Sequence, residues 1–161
     1  MKSPYHRITL LSVVLMCLGF VTPSKASFYV RPRAGVAIPT SGNDPYYSVG
    51  GTLGYKWLPF FSTEASYLRL LGHNTAPDGH TVRGQGVVSA PIGIFAPFGS
   101  LGVGWIDYDV PGSSSEVMTI FGGGLTVSKI LFLSASVGVE YAIIPNKADL
   151  IEPYVSIGIT F

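Results

Sequence analysis

Hydrophobic and polar residues alternate along most of the chain beyond residue 27. In Ile151–Phe161 the odd-numbered positions are apolar, whereas the even-numbered positions carry polar side chains, glycine or tyrosine, and the segment before it, Leu131–Ile143, repeats the pattern. A period of two residues is typical of a β-strand, because successive side chains of a strand point to opposite faces. The alternation predicts eight strands, which run near Phe28–Pro39, Tyr46–Trp57, Phe61–Leu71, Thr81–Ala90, Phe98–Tyr108, Glu116–Val127, Leu131–Ile143 and Ile151–Phe161.

The composition of the two strand faces indicates which face lies inside. The polar face of the last two strands is rich in Gly and Ser, whereas the exposed face of a soluble sheet usually carries Lys, Glu, Thr and Arg. Small side chains suit the crowded interior of a narrow closed barrel, so we expect the apolar face to contact lipid. The sequence therefore predicts an all-β fold, an eight-stranded antiparallel transmembrane β-barrel.

The connections between the predicted strands alternate in character, as they do in bacterial outer-membrane barrels. Such barrels have long loops outside the cell and tight turns in the periplasm. The polar, longer connections are Thr40–Pro45, Gly72–His80, Asp109–Ser115 and Ile144–Leu150. The short, apolar connections are Leu58–Phe60, Pro91–Pro97 and Ser128–Ile130.

The N-terminal residues predict export from the cytoplasm. Basic residues precede an apolar run, Ile8 to Val21, and the small residues Ser24 and Ala26 follow it, which is the three-part form of a secretory signal peptide. We expect cleavage after Ala26, so that residues 1–26 are a signal peptide and residues 27–161 form the barrel domain. The alternative, an uncleaved helical anchor, is disfavoured because the run is short for a membrane-spanning helix.

Composition and charge narrow the classes of partner. The chain is 47% hydrophobic and only 12% charged, which is too apolar for an ordinary soluble surface. Of its 10 Lys and Arg residues, three lie in the expected signal peptide, which leaves 10 − 3 = 7 basic against 9 acidic residues. A slightly acidic chain argues against nucleic acid as a partner, and outer-membrane lipid is the expected surrounding.

Two segments carry a resemblance to a known family. The opening FYVRPRAGVAIP, Phe28–Pro39, resembles the first strand of the small eight-stranded outer-membrane barrels of Gram-negative bacteria, the OmpA/OmpX-like and opacity-type surface proteins. The ending SIGITF is similar to the C-terminal assembly signal of that family. The resemblance implies that the barrel-assembly machinery recognises Ile157, Gly158, Ile159 and Phe161, and that the protein resides in the cell outer membrane.

The predicted strand register places several charged residues inside the barrel. An isolated buried charge is very costly, so these side chains are expected to be paired or hydrated and to close the lumen. A gated polar path is the alternative, but an eight-stranded interior is mostly filled by side chains. The expected lumen charge network consists of Arg31, Arg33, Lys56, Glu64, Arg83 and Glu140.

The sequence offers little material for catalysis or metal binding. Beyond the expected signal peptide the only histidines are His73 and His80, in the second outer loop, and neither has a Ser two residues away as in the His-x-Ser arrangement of the lipid A deacylases. The two histidines with Asp78 form a weak candidate metal site, because they occupy a Gly- and Pro-containing loop. We therefore predict no catalytic, cofactor-binding or metal-binding residue and no enzymatic activity.

Two functional classes remain open on the sequence alone. The first is a non-enzymatic surface protein with a structural role or with an adhesin-like role, in which four short outer loops meet a host or environmental ligand. The second is a secreted soluble β-barrel that binds a small apolar ligand. A lipid A-modifying enzyme or a narrow pore is less favoured. The soluble class needs an apolar interior and a charged exterior, the inverse of the pattern in the last two predicted strands.

Overall fold

The computed structural model describes residues 27–74, 76–111, 114–130, 132–145 and 147–161. The expected signal peptide, residues 1–26, lies outside the described residues. No helix in the part of the chain that the structure describes is long and apolar enough to cross a membrane.

Eight antiparallel strands form a closed barrel in sequence order, and the first strand pairs with the last. The predicted fold class is therefore confirmed. The strands are β1 (Ser27–Pro39), β2 (Tyr46–Leu58), β3 (Phe61–Gly72), β4 (Gly79–Ser89), β5 (Phe95–Tyr108), β6 (Glu116–Ile130), β7 (Leu133–Ile143) and β8 (Leu150–Thr160). Closure leaves no unpaired strand edge, so ladder hydrogen bonds are available to the backbone around the whole wall.

The connections fall at the two ends of the barrel as their character predicts. We call the end with the connections 40–45, 73–78, 109–115 and 144–149 the loop end, and the end with the connections 59–60, 90–94 and 131–132 the turn end. At the turn end, the predicted boundaries of β5 and β6 each differ by three residues from those of the structure. β6 runs through Ser128–Ile130, which were expected to form a turn, because these residues still pair with β7 across a bulge. β5 begins at Phe95 rather than at Phe98, because Phe95 pairs with Val127.

The outer face of the wall is apolar on all eight strands. Most positions that point outward carry hydrophobic side chains, with Gly, Ala or Thr at others and Arg69 near the loop end, and positions between them point into the lumen and are mostly buried. One exposed hydrophobic residue from each strand illustrates the ring: Val30, Leu53, Tyr67, Val88, Leu101, Phe121, Val137 and Val155. We call this continuous surface the apolar belt. A water-soluble barrel has the opposite arrangement, with its apolar side chains inside.

Candidate functional site

The lumen consists of three layers along the barrel axis. The layer at the loop end is an apolar plug. Its residues come from seven strands and one loop and pack into one buried cluster. The members are Ala37, Tyr46, Leu70, Ile106, Met118, Ile120, Ala142, Ile144 and Leu150, with Ala76 and Tyr108 packed against them. The sequence reasoning missed this plug. The signal was available at the loop ends of several strands, where both faces are apolar, as in the run Tyr141–Ile144.

The middle layer is a ring of four charged side chains, Arg33, Arg83, Glu140 and Glu152, which we call the ion ring. Glu140 accepts two hydrogen bonds from Arg33, of 2.9 and 2.7 Å, and one of 2.6 Å from Nη1 of Arg83. Glu152 lies 3.0 Å from Nη2 of Arg33 and 2.6 Å from Nη2 of Arg83. Each carboxylate therefore contacts both guanidinium groups, and the two positive charges balance the two negative ones.

Neutral side chains complete the hydrogen bonding of the ion ring. Nε2 of Gln85 donates to Glu140 at 3.0 Å, the hydroxyl of Ser48 donates to Glu152 at 2.8 Å, and Nε of Arg83 donates to Thr81 at 2.8 Å. The guanidinium of Arg33 also stacks on the ring of Tyr154 at 3.6 Å. The four charged side chains are only 1–4% exposed. Such dense pairing is what allows four charges to remain ionised away from water.

The layer at the turn end is an open cavity of about 300 Å³, which we call the vestibule. Tyr29, Arg31, Lys56 and Glu64 line it, together with several Ser and Thr hydroxyls. Glu64 accepts a hydrogen bond of 2.6 Å from the Tyr29 hydroxyl and one of 3.0 Å from Nη1 of Arg31. The six residues proposed from the sequence as a charge network therefore divide between two layers. Arg33, Arg83 and Glu140 belong to the ion ring, whereas Arg31, Glu64 and Lys56 line the vestibule.

Lys56 stands apart from the other five residues of that set. In the described part of the chain it forms no ion pair, although Arg31 and Glu64 in the same cavity form one.

The alternation also places Glu152 inside the barrel, but the predicted charge network does not include it. The ion ring needs Glu152, because without its carboxylate two arginines would share one negative charge.

The four residues proposed as an assembly signal lie at the turn end of β8. Ile157, Ile159 and Phe161 are exposed on the outer face, whereas Gly158 faces the lumen. A Cβ atom at Gly158 would lie 2.7 Å from Cγ of Arg31. Gly158 is therefore required by the packing of Arg31, whatever else recognises this segment.

Two aromatic residues near strand ends face the lumen. Phe98 lines the vestibule, and Tyr108 packs on Tyr46 of the apolar plug with 5.9 Å between ring centres. Aromatic rings at strand ends serve equally well as lipid anchors or as lumen filling, so residue type alone does not distinguish the two roles.

The two histidines lie at the loop end, outside the lumen. The His73 ring contacts Tyr47 edge-on, and His80 lies 4.0 Å from Asp107 and 3.9 Å from Asp109. Asp109 also forms an ion pair of 2.6 Å with Arg69. Among the described residues, no group of three His, Cys, Asp or Glu side chains is arranged to hold a metal ion. No hydrogen bond between described residues joins an imidazole to a serine hydroxyl, and the Ser114 hydroxyl donates to Glu116 instead.

No family model matches the chain, and no curated protein matches it in sequence. Solved structures do match it. Neisserial surface protein A superposes with a TM-score of 0.68 at 15% identity over 86% of this chain and 100% of that one. The N-terminal β-barrel domain of Pseudomonas aeruginosa OprF gives 0.65 at 16% identity, covering 85% and 100% of the two chains. Ail, the attachment invasion locus protein of Yersinia pestis, gives 0.56 at 14% identity, covering 84% and 97%.

The chain has the fold of the small eight-stranded outer-membrane β-barrels. This fold is not limited to one activity, because the outer-membrane enzyme PagL also superposes, with a TM-score of 0.53 at 13% identity over 80% of this chain and 98% of that one. At such low identities the likeness concerns the fold alone, so the function has to be argued from the side chains.

Proposed function

We propose that the protein is a non-enzymatic integral protein of the outer membrane, exposed at the cell surface. The apolar belt is the observation that carries the proposal. It encircles the wall while charged side chains are enclosed in the lumen, and only a lipid environment stabilises that arrangement. Residues 1–26 direct export and are removed after Ala26, and the loop end faces outward.

The alternative is a secreted soluble barrel with an apolar ligand inside. Its interior would have to be apolar, but the middle of this lumen holds the ion ring. Fractionation of cells and gel migration of unboiled samples in detergent distinguish the two. The proposal expects the protein in the outer-membrane fraction, with unboiled and boiled forms that migrate differently. Recovery as a soluble periplasmic protein would overturn it.

The lumen argues for a closed barrel rather than a pore. An ion that crossed it would have to pass both the ion ring and the apolar plug, and neither layer leaves a described charged side chain without its partner. We therefore expect no steady conductance from the purified protein in planar lipid bilayers. Stepwise single-channel currents would contradict the closed lumen.

The absence of catalysis is proposed from the environment of the histidines. Activation of a serine nucleophile needs an imidazole within hydrogen-bond reach of the hydroxyl. Ser114 instead donates to Glu116 at 3.4 Å, and His80 faces two carboxylates. Membranes from cells that express the protein should contain unmodified lipid A. A change in lipid A acylation that disappears in His80→Ala would assign an enzymatic role.

A surface-binding role is proposed for the loop end. A cavity of about 360 Å³ opens there, between the connections 40–45, 73–78 and 144–149. Its wall includes Asn43 and Lys147, which offer an amide and a partly exposed cation to a ligand from the host or the environment, and Lys147 also lies 3.5 Å from Glu116 and 4.9 Å from the centre of the Tyr108 ring. A deletion strain complemented with the wild type or with Asn43→Ala/Lys147→Ala should show weaker attachment for the double variant. Ser62→Ala at the turn end is the control, and equal attachment of all strains would leave only a structural role.

We also propose that the barrel-assembly machinery recognises the end of β8. The outward side chains of Ile157, Ile159 and Phe161 present a short apolar strand before closure, a form that strand addition can bind. A variant of Phe161 that inserts poorly in cells but refolds normally in detergent would support recognition. Normal insertion of that variant in cells would contradict it.

A further inference from the structure

The vestibule has an unbalanced charge. Its described walls carry two cations, Arg31 and Lys56, but one carboxylate, Glu64. Glu64 is already engaged by Arg31 at 3.0 Å and by the Tyr29 hydroxyl at 2.6 Å. The ion ring cannot compensate Lys56, because its own charges cancel. One positive charge in a half-enclosed cavity is therefore left without a protein partner among the described residues.

Hydrogen-bond donors line the same cavity. The walls of the vestibule include hydroxyl groups from β1, β3, β4, β6, β7 and β8. They belong to Ser27, Ser62, Ser89, Thr126, Ser134 and Thr160. Nε of Arg31 is buried and has no hydrogen-bond partner in the described part of the chain. Cations and hydroxyl groups that converge from several strands favour a ligand that accepts hydrogen bonds on more than one side.

We propose that the vestibule binds a small phosphate-type oxyanion, held by Lys56 and Arg31 and by the surrounding hydroxyls. The cavity volume, about 300 Å³, is at the lower end of the range for ligand pockets and suits a small ion or a headgroup. The ion ring and the apolar plug close the cavity on one side, so the anion enters and leaves at the turn end. The ligand is therefore bound without being transported.

Titration of the detergent-refolded protein with inorganic phosphate tests the site. Amide NMR shifts are followed while phosphate replaces chloride at constant ionic strength. The proposal expects saturable shifts around Lys56, Ser62 and Ser134 and none at the loop end. Shifts that do not saturate, or that spread evenly over the surface, would overturn it.

Two variants in the vestibule should change the affinity for phosphate in opposite directions. Lys56→Gln removes the uncompensated charge and should weaken binding at least about tenfold, as expected for a charge-assisted hydrogen bond. Glu64→Gln removes the carboxylate that competes for Arg31 and should strengthen binding. Arg69→Gln at the loop end, which removes a cation that lies outside the vestibule, is the control. Unchanged phosphate affinity in Lys56→Gln would contradict the assignment. Weaker binding in Glu64→Gln would also contradict it, and this second test remains valid even if Lys56→Gln folds poorly.

A third measurement identifies the source of the phosphate. A free ion and the headgroup of a phospholipid next to the turn end offer the same chemistry to Lys56. Adding phosphatidylglycerol to the detergent sample should displace bound phosphate if the headgroup reaches Lys56, and leave its shifts unchanged if only the free ion fits. Either result supports the anion site. Displacement that is equally strong in Lys56→Gln would show that the lipid binds elsewhere and would exclude the headgroup as the ligand of the vestibule.

Discussion

Arg83 of β4 and Glu152 of β8 form an ion pair of 2.6 Å, although their strands lie on opposite sides of the ring of eight. The pair therefore crosses the whole lumen. Arg33 and Glu140 complete the ion ring from β1 and β7. Three of its four ion pairs join strands that are not neighbours in the wall, β1 with β7, β4 with β7 and β4 with β8, so its contribution to stability adds to that of the sheet hydrogen bonds.

Glu140→Ala should strongly destabilise the barrel. The substitution removes the carboxylate that accepts hydrogen bonds from Arg33, Arg83 and Gln85, and it leaves two buried arginines with one negative charge. Removal of one partner from a buried ion pair costs ~3–5 kcal/mol. Urea unfolding in detergent or vesicles measures the loss.

An exposed ion pair provides the control for Glu140→Ala. Glu116 lies 3.5 Å from Lys147 at the loop end, where both side chains are partly exposed, so Glu116→Ala should cost less than ~1 kcal/mol. The double variant Arg83→Met/Glu140→Met should be more stable than the sum of the two single losses predicts, because it removes one charge of each sign. Equal losses in Glu140→Ala and Glu116→Ala would show that the ion ring does not stabilise the fold.

The fold could be predicted because it depends on one repeated physical rule. Alternation with a period of two fixes which residues share a face, and the scarcity of Lys and Glu on the apolar face distinguishes lipid from water. The same rule placed Arg33, Arg83 and Glu140 inside the barrel. It does not reveal which of these side chains meet. The ion pair between Arg83 on β4 and Glu152 on β8 spans the lumen, and its formation depends on side-chain length and on the stagger of the strands.

The apolar plug and the vestibule could not be predicted from the sequence for a related reason. Ala37 and Ala142 alternate with outward residues that are also apolar, so the two faces look alike at the loop end. Lys56 was grouped with the other lumen charges because alternation gives the face but not the depth. Depth follows from the stagger of the strands, and the stagger is set by pairing in three dimensions.

Cysteine labelling should show that the lumen is open at one level and sealed at another. Ser62 lines the vestibule, whereas Ser48 is buried against Glu152 of the ion ring. A chain that begins at Ser27 contains no cysteine, because Cys17 is the only one in the sequence. In the folded protein a charged maleimide should modify Ser62→Cys rapidly and Ser48→Cys only after unfolding. Rapid modification of both would mean that water reaches the ion ring.

Gly158→Ala should destabilise the barrel through Arg31. The new Cβ would lie 2.7 Å from Cγ of Arg31 and from the Ser134 hydroxyl, so Arg31 must move away from Glu64. Overpacking of this kind costs ~1–3 kcal/mol. Gly84→Ala is the control, because a Cβ atom at Gly84 would meet nothing within 4 Å. In an Arg31→Ala background the part of the cost that comes from Arg31 should disappear, and a cost that persists there would point to the contact with the Ser134 hydroxyl.

The stability cost of a charged side chain on the apolar belt should depend on its depth in the membrane. Val137 and Val117 are similarly exposed, at 55% and 54%, but Val137 lies near the middle of β7 whereas Val117 lies at the loop end of β6. In lipid vesicles Val137→Lys should cost ~2–4 kcal/mol and Val117→Lys ~0–1 kcal/mol, because the penalty falls toward the membrane surface. Equal costs in vesicles would indicate that the belt does not contact a bilayer core.

Phe161→Ser should separate assembly in cells from stability of the folded barrel. The Phe161 side chain is 75% exposed at the turn end, and the backbone N–H of Phe161 donates to the carbonyl of Phe28 at 2.8 Å. The substitution keeps this backbone hydrogen bond and removes only the ring. If the assembly machinery reads the ring, outer-membrane levels of the variant should fall several-fold while refolding in detergent stays near that of the wild type.

Phe95→Ser is the matched control for Phe161→Ser, because Phe95 is also a turn-end phenylalanine, is 48% exposed and does not line the vestibule. Both substitutions remove an aromatic ring that would sit at the membrane surface, so the loss of apolar contact with lipid is similar. A ring that only anchors the barrel has the same effect at either position and lowers stability in vesicles as much as it lowers the amount in cells. A recognition signal is specific to position, so only Phe161→Ser should reduce insertion in cells. Equal reduction by both variants would show that the ring at Phe161 acts through lipid contact alone.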